Sequence, residues 1–237
     1  MRSGWMALLA APLVAVAWAG APAEAEWALD VYGGAAWTQS ADLNVSGRDN
    51  TGATVDATIF DIKTNTGVTA GLRAGYWIDK LPFVGLGLDL FFFSIPIPAQ
   101  TASGTGTLTS EIRDEPITIN AAGQARVPSV TLPALGFSPE IRLRWPLIKS
   151  KDYPQGVLQP YLTGGPAWAF SLAGDRVDLK IGGKFGAGLS VTLVRFVALF
   201  AEYRYTFFPG YTLSHDAVTY KTDINSHAAI VGISLRF

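Results

Sequence analysis

The residues with the means to do chemistry are charges that interrupt otherwise apolar or small-residue segments. Eight form the candidate cluster: Arg73, Asp89, Glu140, Arg142, Arg144, Lys184, Glu202 and Arg204. Asp30 and Arg236 recur in the same phase nearer the ends of their segments. Charges taken out of water are costly unless paired, so both signs together predict ion pairs. Asp89–Arg142, Glu202–Arg204 and Arg73–Asp89 are the expected partners. Such a cluster can be a salt-bridged plug, a gated narrow pore, or an acid/base site. The last is the weakest, because a narrow interior admits no substrate.

Other constellations carry less. Ser214-His215-Asp216 holds the residue types of a catalytic triad, but adjacent residues cannot face one another as a triad requires. With two His and no Cys in the chain, no zinc ligand set is expected, and neither a disulfide framework nor a lipoprotein anchor is available. Gly33-Gly34 and Gly182-Gly183 precede no helix and do not read as phosphate loops. No cofactor and no catalytic residue is expected. Lys and Arg number 18 against 19 Asp and Glu, and nucleic-acid binding needs a basic excess.

The elements that position the charges are strands. In 196–207, Val197, Leu199, Ala201, Tyr203, Tyr205 and Phe207 share one face, whereas Ala198, Glu202, Arg204 and Thr206 share the other. The same period of two runs through 27–36, 70–78, 139–145, 158–170, 181–193 and 227–237. Segment 83–94 is apolar on both sides apart from Asp89 and two glycines. Seven of these eight segments run to about 9–13 residues, and 139–145 to seven, longer than the roughly five or six of soluble strands and matched to a tilted bilayer crossing. Small and charged residues on one side suit a narrow barrel interior; large apolar ones on the other suit lipid. Backbone groups in lipid must all be paired, so the strands must close into a ring. The fold expected is all-β: a single eight-stranded antiparallel up-and-down transmembrane β-barrel.

The ends and connections agree. Arg2, the apolar run 5–19 and the small-x-small sites at Ala21-Pro22-Ala23 and Ala23-Glu24-Ala25 read as a signal peptide over 1–25, cut after Ala25. The barrel domain then spans 26–237. Its connections alternate in length, with short turns at 79–82 and 194–195 and long loops at 37–69, 95–133 and 208–224. Short turns belong to the periplasm and long loops to the outside, which puts both termini in the periplasm. Thr58–Ile62 and Pro116–Ile119 still alternate inside the long loops and predict hairpins above the membrane. A count of ten strands, with two crossings inside 95–133, is opposed by Pro96, Pro98, Pro116, Pro128 and Pro133. Trp27, Tyr76, Trp77 and Trp145 at one height, and Trp168, Phe170, Tyr205, Phe207 and Phe208 at the other, read as two aromatic girdles. His227 is expected at the outer interface, facing lipid.

Several phrases resemble a known family. Ile-Val-Gly-Ile-Ser-Leu-Arg-Phe at 230–237 is similar to the terminal assembly signal of outer-membrane proteins, with Val231, Ile233, Leu235 and Phe237 as its alternating residues. Gly-Leu-Arg-Ala-Gly-Tyr-Trp at 71–77, Pro-Tyr-Leu-Thr-Gly-Gly-Pro-Ala-Trp at 160–168 and Ala-Glu-Tyr-Arg-Tyr at 201–205 resemble strands of the OmpA/OmpX-like eight-stranded barrels. No peptidoglycan-binding segment is expected after the barrel, and the first two external loops are longer than in minimal members. The resemblance implies a monomer in the outer membrane of a Gram-negative-type bacterium. Its partners would be outer-membrane lipid and lipopolysaccharide, the barrel-assembly machinery through the last strand, and host or surface ligands through the external loops. A structural or surface-interaction role is expected, with a narrow channel for small or hydrophobic solutes and a rim-sited lipid A-modifying enzyme as alternatives.

Overall fold

The computed structural model describes residues 26–48, 53–112, 115–150, 153, 155–171, 179–215 and 218–237, with the side chains of 111–112, 115–117, 171 and 213–215 outside the description. The signal peptide expected over 1–25 lies outside the described residues.

Twelve strands follow one another: β1 (Glu26–Thr38), β2 (Ala41–Arg48), β3 (Thr54–Ile62), β4 (Gly67–Ile78), β5 (Leu81–Ile97), β6 (Gln100–Ile112), β7 (Glu115–Val127), β8 (Val130–Arg144), β9 (Leu158–Ser171), β10 (Leu179–Val194), β11 (Val197–His215) and β12 (Val218–Arg236). Eight of them close a ring in the order β1-β4-β5-β8-β9-β10-β11-β12, and β12 pairs back onto β1. All ring pairings are antiparallel. Closure removes the unpaired edges that lipid would not tolerate.

The ring is apolar outside and charged inside. Leu72, Leu88, Ile141, Leu162, Ile181, Leu189, Leu199, Val231 and Ile233 are exposed on its wall, whereas Asp30, Arg73, Asp89 and Lys184 have no exposed surface. This inverts the sorting of a water-soluble barrel, whose large apolar side chains turn inward. The short turns at 79–80 and 195–196 lie at the same end as Glu26 and Arg236.

Two girdle residues expected on the wall are inside. Trp77 is buried beneath Arg142 and Arg144, and Phe208 is buried against Phe93. Parity explains both: each follows a wall residue, Tyr76 or Phe207, by one position, and a single step along a strand crosses to the other face. Phe208 joins Phe91, Phe93, Ile95, Tyr211 and Ile224 in an apolar cluster that fills the upper lumen.

The long connections are ordered as sheet. β12 pairs with β1 from Arg236 up to Ser226, then leaves it and pairs with β2 from Lys221 to Val218. From there the sheet continues β2-β3-β6-β7 beyond the ring. Region 37–69 therefore holds the β2–β3 hairpin, 95–133 the β6–β7 hairpin, and 208–224 the upper ends of β11 and β12. The two added strands inside 95–133 are a hairpin outside the ring and not two more crossings. Pro116 is accepted because β7 is an edge strand, where a missing N–H costs no ladder bond.

Candidate functional site

The charged residues meet along the lumen in two layers. In the middle layer, Arg73 from β4 reaches Glu202 of β11 at 2.7 Å and Asp30 of β1 at 2.8 Å, with Glu140 of β8 at 3.7 Å. Arg204, two positions from Glu202 on the same strand face, pairs with it at 2.9 Å and with Asp89 of β5 at 3.2 Å. Lys184 of β10 pairs with Asp89 and stands 3.6 Å from Glu140. Two phenols complete the lattice. Tyr32 donates to Asp89 at 2.8 Å and accepts from Arg204 at 2.8 Å, and Tyr161 donates to Glu202 at 2.9 Å. The Arg73 guanidinium also lies 5.2 Å from the centre of the Phe200 ring.

The second layer lies toward the short-turn end. Arg142 pairs with Asp30 at 3.2 Å, Arg144 with Glu26 at 2.6 Å, and Arg236 with Glu26 at 3.6 Å. Arg144 also donates to the Pro82 carbonyl and stacks 4.0 Å from the Trp77 ring centre. Arg236 donates to Ser190 at 2.9 Å.

All eight cluster residues are buried in the lumen, but only one of the three expected pairs forms. Glu202 and Arg204 pair, as two inward positions on one strand can. Arg73 is directly opposite Asp30 on β1 and Asp89 on β5; it pairs with Asp30 and, across the lumen, with Glu202 rather than with Asp89. Asp89 takes Lys184 and Arg204, and Arg142 takes Asp30. The reason is curvature. In a small closed barrel inward side chains converge on the axis, so a long guanidinium meets strands across the lumen as readily as its ladder neighbour. Tyr32, Tyr161 and Glu26 were not singled out from the sequence. For Tyr32 the signal was present, because it shares its parity with Asp30.

Every carboxylate in the middle layer faces at least one cation, and among the described residues no group of three or more His, Asp or Glu is arranged to hold a metal ion. The arrangement binds strands together through ion pairs between β1, β4, β5, β8, β10 and β11. His227 lies on the wall, with Nδ1 2.6 Å from the Tyr203 hydroxyl and Nε2 3.0 Å from the Gln39 side-chain amide, stacked on Trp37. Val231, Ile233 and Leu235 line the outer face of β12, and the Phe237 N–H donates to the Trp27 carbonyl at 2.9 Å. The Ser214 and His215 side chains and the whole of Asp216 lie outside the described residues.

No family model and no curated protein matches the sequence. Among solved structures the chain is similar to Neisserial surface protein A (13% identity, 91% of this chain and 98% of that one, TM-score 0.43). It is also similar to the outer membrane protein OprG from Pseudomonas aeruginosa (12% identity, 89% and 95%, TM-score 0.42). A third is Ail, the attachment invasion locus protein of Yersinia pestis (11% identity, 90% and 99%, TM-score 0.25). On its own geometry, an eight-stranded antiparallel ring with an apolar wall and an ion-paired lumen, the chain is a membrane-spanning β-barrel.

Proposed function

We propose that this is an integral outer-membrane protein whose role is structural and surface-interacting. The sheet beyond the ring carries the interaction, and the ion lattice closes the lumen. The observation that carries the reading is the two-sidedness of that sheet. One face stacks the rows Asn44–Thr58–Thr105–Ala122 and Ser46–Asp56–Thr107–Asn120 around a cleft of about 600 Å³. The other stacks Val45–Ala57–Gly106–Ala121 and Gly47–Val55–Leu108–Ile119, with Val55, Leu108 and Ile119 exposed. β7 leaves its outer edge unpaired among the described residues, and 117–125 contain neither charge nor proline. Such an edge is a template for an added strand.

The short turns are then periplasmic, as are both termini, and lipopolysaccharide surrounds the upper wall. The lattice and the aromatic cluster above it support a closed, non-enzymatic barrel. Planar-bilayer recording tests the closure. The expected result is no steady conductance from the wild type and measurable openings from Glu202→Ala, which removes the carboxylate shared by Arg73 and Arg204. Steady conductance in the wild type would favour the channel reading instead. On intact cells, protease should cut within 98–129 and spare the barrel; protection of that hairpin would refute its surface location.

A further inference from the structure

The two charged layers differ in balance. In the middle layer Arg73, Lys184 and Arg204 face Asp89, Glu140 and Glu202, three cations against three carboxylates. In the lower layer Arg142, Arg144 and Arg236 face only Glu26 and Asp30, and Asp30 is shared with Arg73. One positive charge is left over among the described residues.

The surplus has a location. A small cavity is walled by Asp30, Trp77, Arg142, Arg144, Ser190 and Arg236, among others. Nε and Nη1 of Arg142 and Nε of Arg236 are buried and donate to no protein acceptor, although both residues are over nine-tenths buried. Guanidinium donors out of water are costly unless an acceptor meets them. The cavity offers about 10 Å³ to the centre of a small body, room for one water or one monatomic ion. That excludes phosphate, sulfate and organic carboxylates. The layer also keeps a path to bulk solvent: the Arg142, Arg236 and Glu26 side chains are 7%, 9% and 8% exposed, against 0% for Arg73 and Glu202.

We propose that the lower lumen is a binding site for one monatomic anion, chloride, held between Arg142 and Arg236. A water would satisfy the same donors and could bridge to the Asp30 carboxylate, which also meets the Ser234 side chain. Only an anion also cancels the surplus charge, and that decides between them in a low-dielectric lumen.

The test uses the full barrel in detergent. Its unfolding midpoint is followed in sodium chloride and in sodium gluconate at matched ionic strength, so that general screening is equal in both. The expected result is a midpoint that climbs with the logarithm of chloride concentration and does not respond to gluconate. Removing an arginine risks misfolding, so the informative variant is Ser190→Asp, which sets a fixed carboxylate against Arg236. Its midpoint in gluconate should match that of the wild type in chloride and lose the chloride response. In crystals grown in sodium bromide, an anomalous peak is expected between Arg142 and Arg236. Equal midpoints in the two salts, a persistent chloride response in Ser190→Asp, or bromide peaks confined to the surface would overturn the proposal.

Discussion

At the scale of single residues, the lattice works because each of its charges is shared. Glu202 accepts from Arg73, Arg204 and Tyr161 at once. Replacing it by Gln keeps the volume but leaves two buried guanidiniums facing a neutral amide. Breaking one side of a buried ion pair costs about 3–5 kcal/mol. Glu202→Gln should lose that much stability in urea unfolding followed by the gel shift between folded and heated barrel. A loss near zero would mean that water reaches the middle layer and screens it. The sequence makes the inward direction of these residues legible, since period-two alternation assigns each charge to a face. It does not make the partners legible. Which carboxylate Arg73 meets depends on barrel radius and strand stagger, and neither is written in the alternation of β4 alone. The Trp77 position shows the same limit: its type suggested an interfacial belt, whereas its parity put it under two arginines.

At the scale of elements, β12 does two jobs. Its lower half seals the ring against β1, and its upper half starts a second sheet with β2. The change of partner was not legible, because 208–224 lacks a clean apolar face and includes Pro209 and Gly210. A register shift between Phe208 and Tyr211 absorbs them, with Gly210 at φ +60°, a conformation that glycine adopts without steric cost. The ladder between β5 and β8 runs up to Ile97 and Val130, which are direct partners. Excising 99–128 and joining 98 to 129 therefore asks only for a hairpin turn between strands already in register. The shortened chain should still close its ring and keep the compact, heat-modifiable gel migration of the intact barrel, while losing whatever the outer sheet binds. If it fails to fold, the outer hairpin is part of the barrel's own stability and the separation of roles drawn above is wrong.

At the scale of the whole molecule, one property decides the rest: the ring is surrounded by lipid, whereas the sheet above it is surrounded by water. Exposure alone cannot tell the two environments apart. Leu189 on the ring wall is 43% exposed and Leu108 on the outer sheet is 41% exposed, so a soluble protein would treat an arginine at either position alike. In a bilayer they differ. An arginine facing lipid near the midplane costs about 2–4 kcal/mol, falling to roughly 0–1 kcal/mol at the interface and beyond. Leu189→Arg should therefore destabilise the barrel in phospholipid vesicles by the larger amount and Leu108→Arg by the smaller. In a fluid detergent micelle, which deforms around a charge more readily than a bilayer, the gap should narrow. The pair reads the position of the membrane along the molecule from energetics alone. Equal costs in vesicles would mean that the apolar wall is not what faces the acyl chains. The alternation that made the strands legible would then need another solvent to explain it, because no aqueous surroundings account for leucine outside and arginine within.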